Sequence, residues 1–423
     1  MLKQLEGSHA VAEAVALCRP EVICAYPISP QTHIVEHCGE LVREGKMGNC
    51  EYMNVESEFA ALSACIGSSA CGARTYTATA SQGLLFMAEA VYNASGLGLP
   101  IVMTVANRAI GAPINIWNDH TDSMAMRDAG WLQLFAETNQ EALDLHIQAF
   151  RIAEQMSQPV MVCMDGFILT HAYERVSMPT QEQVDQFLPP YTPQQVLDPA
   201  NPYSIGAMVG PEAFTEVRYL AHEKQLQALD VIPGIAAEFK AIFGRDSGGL
   251  IREYETEGAD TIVVTLGSVA GTVKDTVDEM RADGKKIGVV TVGSFRPFPS
   301  AALREAVKHA NEVVVLEKSF AIGFGGVVAN NIMMSLQGTG IHVHTVVAGL
   351  GGRPITMPSL HRLFDTALKG ELEDMHFLNL QWDIVNAELQ RQREQIASGP
   401  TAESILRNIQ TDTARGTPTP AAE

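Results

Sequence analysis

The sequence alternates short apolar runs with stretches of helical periodicity, and this alternation limits the possible folds more than any other feature. Apolar runs predict strands at residues 22–26, 74–80, 100–105, 160–164, 261–266, 287–292, 312–316 and 341–347. Helical patterns lie between them, at residues 32–42, 82–95, 139–155, 270–280, 301–309, 327–336 and 359–368. Short apolar strands separated by helices are typical of parallel sheets covered on both faces. The sequence therefore predicts an α/β fold with two doubly wound parallel-sheet domains.

Other local patterns complete this prediction. Thr138 and Glu141 have the spacing of a capping box, which predicts the start of a helix. Residues 171–258 contain a proline-rich loop and a helical stretch at 214–243, which we interpret as a connection and not as a separate domain. The chain begins with a pattern predicting an amphipathic helix, whose apolar face carries Val11, Ala14, Val15 and Leu17.

These patterns give predicted domain limits. The predicted parts are a first domain at 1–258, a second at 259–385, and a C-terminal extension at 386–423. The end of the extension, from residue 398, has the composition of a mobile tail.

Net charge and cysteine content exclude several classes of function. A formal net charge of -20 repels nucleic acid and anionic membranes, so neither is an expected partner. No apolar stretch reaches the roughly 20 residues needed to span a bilayer, and the start does not resemble a signal peptide. The seven cysteines form no C-x-x-C pair and lie before residue 164, which predicts buried, reduced thiols and no iron–sulfur cluster. The expected compartment is the cytoplasm.

Three segments leave the predicted carboxyl ends of strands in the first domain, where sites form in open parallel sheets. They are residues 26–30, the stretch around Glu58, and the long loop 107–122. Arg108 either clamps a substrate carboxylate or forms a structural ion pair, and the pattern alone favours neither. Ser29 lies between two prolines, which hold its hydroxyl in a rigid turn.

Two further motifs favour structural interpretations. Asp119, His120 and Asp122 resemble metal ligands, but their spacing fits no standard template, so a solvated polar loop is favoured and no metal site is predicted. Residues 323–326 (GFGG) precede a helix and could hold a phosphate. They match neither a P-loop nor G-x-G-x-x-G, so close helix packing is favoured.

Taken together, four segments resemble the α subunit of the 2-oxoacid:ferredoxin oxidoreductases, and most of all the pyruvate type. The segments are AYPISPQT, VESEFAALSACIGSSACGARTYTATASQGL, ANRAIGAPINIWNDHTDSMAMRDAGWLQLFAET and PVMVCMDGFILTHAYE. The resemblance extends to about residue 370 and is densest over 20–172. It implies a thiamine-diphosphate pyrimidine-binding domain followed by a transketolase C-terminal-like domain.

The resemblance also implies partners and cofactors. Thiamine diphosphate would be shared with a β subunit that carries the diphosphate and Mg²⁺ site, since this chain lacks the usual G-D-G…N-N motif. The [4Fe-4S] clusters would lie in the partner chains, which include further iron–sulfur and γ-type subunits. Coenzyme A would accept the acyl group, and ferredoxin or another acceptor would take the electrons.

The resemblance assigns roles to particular residues. Glu58 matches the glutamate that hydrogen-bonds a pyrimidine nitrogen of the cofactor, with Pro27, Ile28 and Gln82 as the other cofactor-binding positions. Arg108 matches the arginine that pairs with the substrate carboxylate. Glu58 and Arg108 are therefore the expected catalytic residues.

Ser29 bears on the substrate, because it matches a position where pyruvate enzymes usually carry threonine. The missing methyl makes an aromatic 2-oxo acid, such as phenylglyoxylate, the alternative to pyruvate; one methyl changes discrimination by only about 1–3 kcal/mol. A non-catalytic scaffold subunit is a further alternative. A nucleotide-binding dehydrogenase is disfavoured, because no Rossmann glycine fingerprint follows a predicted strand.

Overall fold

The structure, a computed structural model, describes residues 1–394 and 400–414. The elements of the first half are β1 (Leu2–Glu6), α1 (Gly7–Leu17), β2 (Val22–Ala25), α2 (Thr32–Arg43), β3 (Glu51–Asn54), α3 (Glu58–Ala70), β4 (Thr75–Thr79), α4 (Ser81–Phe86), α5 (Ala88–Gly96), β5 (Ile101–Asn107), α6 (Thr121–Ala125), β6 (Leu132–Phe135), α7 (Asn139–Met156), β7 (Val160–Asp165), β8 (Tyr173–Ser177), α8 (Gln181–Phe187) and α9 (Phe214–Phe243). Those of the second half are β9 (Ile251–Tyr254), β10 (Thr261–Thr265), α10 (Val269–Ala282), β11 (Ile287–Val292), β12 (Ser294–Arg296), α11 (Ser300–Val307), β13 (Glu312–Glu317), α12 (Val327–Ser335), β14 (His342–Val347), α13 (Met357–Leu368), β15 (Met375–Phe377), α14 (Trp382–Arg393) and α15 (Thr401–Ala414), with a 3₁₀ turn at Leu350–Gly352.

Two sheets organise the molecule. The first has the strand order β12-β6-β7-β5-β4-β2-β3, and the second has the order β15-β14-β13-β10-β11-β9. All neighbouring strands run parallel except β12, which pairs antiparallel with β6, and β9, which pairs antiparallel with β11. The central strands β4, β5 and β7 are buried along their whole length. The predicted α/β class with parallel sheets is therefore confirmed.

Helix positions follow local capping chemistry. The Thr138 hydroxyl accepts a hydrogen bond from the Glu141 amide and begins α7, as predicted. The helix predicted at 82–95 is instead two helices, α4 and α5, which meet at Met87. The predicted helix at 214–243 is present as α9, and it packs on α7.

The N-terminal segment differs from its prediction. Residues 2–6 form β1, which pairs with β8, and the helix begins only at Gly7. Helix α1 packs between α2 and α7, so Ala10 and Ala12 are as fully buried as Val11. The predicted helix is therefore present, but the single apolar face expected for it is wrong: small side chains let α2 and α7 bury most of the helix, and only His9, Glu13 and Leu17 are half-buried.

The two halves share structure, so the predicted domain limits stay a prediction. Strand β9 lies before residue 258 but belongs to the second sheet, whereas β12 lies after it and extends the first sheet. One cluster of buried apolar side chains also contains residues from both sheets.

Part of the C-terminal extension is helical, and the mobile tail stays a prediction. Residues 401–414 form α15, which packs on α14. The buried Ser404 hydroxyl donates to the buried Glu388 carboxylate at 2.7 Å. Residues 398–399 and 415–423 of the predicted tail lie outside the described residues.

Cysteine burial agrees with the sequence prediction. Six of the seven cysteines are buried, Cys71 is exposed, and none forms a disulfide. Among the described helices, none has both the length and the apolar character needed to cross a lipid bilayer.

His146 on α7 is a buried titratable group inside the first sheet's core. Its Nδ1 donates to the Ala142 carbonyl at 2.6 Å, and its Nε2 accepts from the Thr104 hydroxyl at 2.5 Å. Thr104 in turn accepts from the Tyr76 hydroxyl at 2.6 Å. This chain of hydrogen bonds suits a neutral ring, and burial lowers the pKa of His146 to about 4.

We expect the fold to lose stability in acid through His146. The unfolded chain gains this proton near pH 6.5 and the folded chain only near 4, so stability falls as the pH drops between these values, by about 2 kcal/mol at pH 5. His146→Gln cannot titrate, so its Tm deficit relative to the native chain should be smaller at pH 5 than at pH 7. An equal deficit at both pH values would contradict this prediction.

Candidate active site

The carboxyl ends of the two sheets meet at a buried ion cluster centred on Asp165, the last residue of β7. Asp165 accepts from Lys318 Nζ at 3.1 Å, from the Ser268 amide at 2.9 Å, and from His120 Nε2 at 2.5 Å. Lys318 follows β13 and Ser268 follows β10, so the cluster joins both sheets. Burial opposes ionisation of Asp165, but Lys318 and His120 hold its pKa well below the usual range.

A second buried carboxylate, Asp122, organises the edge of the first sheet. It accepts from the backbone amides of Ser81 at 2.9 Å, Arg108 at 3.0 Å and Ser123 at 2.7 Å. It also accepts from Asn107 Nδ2 at 2.8 Å. Burial raises the pKa of Asp122 to about 6, although the hydrogen bonds favour its ionised form. The carboxylate thereby fixes the start of α4 relative to the end of β5.

The expectation of a solvated polar loop at Asp119, His120 and Asp122 is wrong, because all three side chains are buried. Asp119 accepts from the Gly351 amide at 3.1 Å, so it ties the loop to the second half of the chain. Within the described part of the chain, none of the groups able to hold a metal ion includes these residues. The sequence showed that they are polar, but not that each has a buried partner.

Glu58 occupies the first turn of α3 without a partner for its charge. Ser57 caps this helix by accepting from the Ala60 amide at 3.2 Å. The Glu58 side chain is only 7% exposed, yet no described residue donates a hydrogen bond to its carboxylate or forms an ion pair with it. A buried carboxylate without a partner is costly, which marks the position as available for a ligand.

The surroundings of Glu58 form a close-fitting cradle. A Cβ on Gly83 would lie 2.7 Å from Glu58 Oε1 and 2.6 Å from Thr79 Oγ1, so only glycine fits. The Thr79 hydroxyl is buried and lacks a hydrogen-bond partner in the described structure. An unpaired carboxylate and an unpaired hydroxyl therefore both lie against the Cα of one glycine.

Arg108 is also buried without an opposite charge in contact. Its Nη1 donates to the Ser29 carbonyl at 2.9 Å, and its Nε donates to the Asn115 carbonyl at 3.3 Å. It forms no ion pair with a carboxylate among residues 1–394 and 400–414, so the alternative of a structural ion pair is wrong. Burial lowers the pKa of Arg108, because it disfavours the charged form.

The turn containing Ser29 is held by a residue that sequence reasoning missed. The buried Gln31 side chain donates to the Ala78 carbonyl at 2.6 Å and accepts from the Ile28 amide at 3.2 Å. Pro27 and Ser29 are exposed, and Ile28 is half-buried. No local pattern distinguished Gln31 from any other polar residue at the start of a helix.

The predicted residues are connected through short contacts. Ser29 contacts Arg108 directly, and Ser81 donates to Gln82 and to the Ala109 carbonyl. A Cβ on Gly111 would lie 2.6 Å from Gln82 Nε2, so the loop after Arg108 closes tightly on Gln82. Gly83, which follows Gln82 in the chain, in turn lies against the Glu58 side chain.

In the glycine motif at 323–326, only Gly326 is closely packed, whereas Gly323 has open space around it. The buried Glu317 carboxylate accepts from the amides of Val327 at 2.8 Å, Val328 at 2.9 Å and Ala329 at 3.0 Å, and so occupies the N-terminus of α12. A Cβ on Gly326 would collide with Glu317. Burial raises the pKa of Glu317. The amides that could bind a phosphate already have an acceptor.

We expect Asp122→Asn to destabilise this edge of the sheet. The amide offers one acceptor oxygen instead of two and points a donor at backbone amides, at a cost of about 1–3 kcal/mol for each buried donor left unpaired. Thermal unfolding and the rate of proteolysis in loop 108–120 would measure the effect. Asp128→Asn, at an exposed aspartate nearby, is the matched control and should leave both unchanged. Equal behaviour of the two variants would contradict the role of Asp122.

Comparisons with known proteins agree with this geometry. Residues 13–236 match the family model described as pyruvate flavodoxin/ferredoxin oxidoreductase, thiamine diphosphate-binding. Residues 259–360 match the pyruvate:ferredoxin oxidoreductase core domain II.

Individual relatives cover most of the chain. The pyruvate synthase subunit PorA of Methanosarcina barkeri is 48% identical over 90% of this chain and 97% of its own length. The ketoisovalerate oxidoreductase subunit VorA of Pyrococcus horikoshii is 41% identical over 84% of this chain and 91% of its own.

A solved structure supports the same fold. The 2-oxoglutarate:ferredoxin oxidoreductase of Magnetococcus marinus, solved with 2-oxoglutarate, coenzyme A and succinyl-CoA bound, superposes with a TM-score of 0.69 at 18% identity. The match covers 87% of this chain and 65% of that one. The resemblance seen in the motifs is confirmed: the chain belongs to the pyruvate flavodoxin/ferredoxin oxidoreductase family.

Proposed function

We propose that this chain is the α subunit of a multisubunit 2-oxoacid:acceptor oxidoreductase. The complex decarboxylates pyruvate oxidatively, transfers the acyl group to coenzyme A, and passes electrons to iron–sulfur clusters in partner chains and on to ferredoxin or another acceptor. One observation carries the proposal: Glu58 and Arg108 are both buried, and neither has an opposite charge in contact. These two side chains suit, respectively, a proton-sharing base and a carboxylate clamp.

The residues around Glu58 fit the aminopyrimidine of thiamine diphosphate. Glu58 would share a proton with a ring nitrogen, and the Thr79 hydroxyl, which has no partner in the described structure, would be available to the ring. Pro27, Ile28 and Gln82 would complete the wall. When bound, the cofactor supplies the electron sink for decarboxylation. Its diphosphate and Mg²⁺ would be held by the β subunit.

Arg108 would bind the substrate carboxylate. Its guanidinium is held by two backbone carbonyls, so it is oriented without being neutralised. A charge-assisted contact in a partly desolvated site is strong and would fix the direction of the 2-oxo group. The exposed Ser29 lies beside it and would face the same carboxylate.

The β subunit would dock on the exposed apolar side chains around this site. Ile114 is 80% exposed and Trp117 is 53% exposed, and both lie in the loop that carries Arg108. Large apolar side chains in the open mark interaction sites when they cluster. Ile168, which follows β7, is also half exposed. The reaction would then take place between subunits, in a cytoplasmic complex.

We expect Glu58→Gln to lower turnover of the assembled complex roughly 100-fold or more, which is the usual effect of removing an acid–base group. The measurement is dye reduction with pyruvate and coenzyme A without oxygen, together with binding of thiamine diphosphate. Glu56→Gln is the matched control, because Glu56 lies two residues away and is exposed. Near-normal turnover of Glu58→Gln in an assembled complex would remove Glu58 from the reaction.

We expect Arg108→Ala to lower kcat/KM by roughly 10- to 100-fold, the effect of losing a contact to a charged group. The loss should be similar for pyruvate, 2-oxoisovalerate and phenylglyoxylate, because all three carry the same carboxylate. Arg218→Ala, at an exposed arginine on α9, is the control.

Turnover of the native complex with pyruvate, 2-oxoisovalerate and phenylglyoxylate shows which 2-oxo acid it prefers. A preference for pyruvate would support the proposal and make Ser29 a tolerated variant. A preference for phenylglyoxylate would contradict pyruvate as the substrate. It would not affect the role proposed for Arg108, because phenylglyoxylate carries the same carboxylate. Unchanged kinetics in Arg108→Ala would contradict the clamp.

A further inference from the structure

A group of metal-binding side chains lies at the amino ends of the second sheet, on the edge opposite the candidate active site. His342 is the first residue of β14, Glu312 is the first residue of β13, and Asp374 directly precedes β15. His342 and His344 point to one face of β14, because side chains two residues apart on a strand share a face. The register pairs Glu312 with His342 across the two strands.

The side chains converge closely. One ligand atom from each of His342, His344 and Asp374 lies within 4.8 Å of the others. His342 Nε2 is 2.9 Å from Asp374 Oδ1, and His344 Nε2 is 3.2 Å from Glu312 Oε2. The two imidazole rings are 4.4 Å apart. Two imidazoles and the Asp374 carboxylate therefore surround one point, and Glu312 lies beside His344.

His344 has the orientation of a metal ligand. It is buried, and its Nδ1 donates to the backbone carbonyl of Glu373 at 3.1 Å. This bond orients the ring so that Nε2 faces the carboxylate of Glu312 at 3.2 Å. Metal-bound histidines typically donate their second ring N–H in this way. Glu312 is itself oriented, because Thr261 Oγ1 donates to its other oxygen at 2.6 Å.

We propose that His342, His344 and Asp374 bind a divalent first-row transition-metal ion, with Glu312 beside His344. Imidazole and carboxylate donors suit such ions, and zinc takes nitrogen and oxygen ligands at about 2.0–2.2 Å. The ligands reach these distances by rotation of His342 and Asp374, whose side chains are 56% and 85% exposed. An open groove of about 420 Å³ beside them, lined by residues including Leu336 and Val343, gives the ion access.

The ion would tie the segment before β15 to the middle of the second sheet. β15 is the edge strand, and its pairing with β14 is short, from Met375 to Phe377. A metal held by Asp374 and by two residues of β14 links this edge to its neighbour. The site is therefore structural, and it is separate from the carboxyl-end site around Glu58.

The test uses the full chain without an affinity tag, stripped with a chelator and dialysed against Zn²⁺. The native chain should retain one zinc ion through this group, and zinc should raise its Tm. Asp374→Asn and the double variant His342→Asn/His344→Asn should each lose one zinc ion and most of the rise in Tm. Asp374→Asn changes only an exposed side chain, so it keeps the test valid if the double variant does not fold.

Two further variants separate this site from other histidines. His361→Asn removes a half-buried histidine that pairs with Glu279 and belongs to neither group of possible ligands in the described structure, so it should behave as the native chain does. The other group of possible ligands in the described structure is Glu6, His33 and His171, which His33→Asn disrupts. The proposal is overturned if zinc retention is unchanged in Asp374→Asn and in the double variant, or if only His33→Asn lowers it.

Discussion

The buried carboxylate of Asp122 is the interaction on which the candidate site depends. It gathers the backbone amides of Ser81, Arg108 and Ser123 at one point, so three chain segments that are distant in sequence share one acceptor. Such amides would otherwise be buried without partners, which is costly. With α4 and the end of β5 fixed in this way, Gly83 closes against Glu58, and Arg108 reaches the Ser29 carbonyl.

Two charges are held in this rigid setting without being neutralised. Other buried charges among the described residues have partners: Asp165, for example, pairs with Lys318, and this ion pair joins the two sheets. Glu58 and Arg108 have none, although each is less than 10% exposed. Leaving them unpaired costs stability, and the surrounding fold offsets that cost. A ligand that brings a ring nitrogen to one and a carboxylate to the other would recover it.

The two edges of the second sheet have different tasks. At the carboxyl ends, Lys318 and Ser268 join the first sheet, and Glu317 caps α12 so that no helix amide remains for a phosphate. At the amino ends, imidazoles and carboxylates face each other without a link to the first sheet. The proposed metal site therefore lies at the opposite end of these strands from their junction with the first sheet.

Periodicity and short motifs determined much of this protein. The alternation of apolar runs with helical patterns was enough to predict parallel sheets. The bounds of β11 were also predicted correctly, because a buried strand is a local run of apolar residues. The Thr138 cap was equally local. The set of motifs identified the family, since several segments had to match together.

Tertiary structure alone decided which polar groups are buried and what they contact. The sequence around Asp119–Asp122 reads as a solvated loop, but its partners come from residues 81, 165 and 351. Likewise, most of α1 is buried only because α2 and α7 pack on it. The sequence patterns also did not predict that β9 joins the second sheet and that β12 joins the first. Local patterns report the period of a segment, whereas burial and pairing depend on long-range contacts that the fold creates.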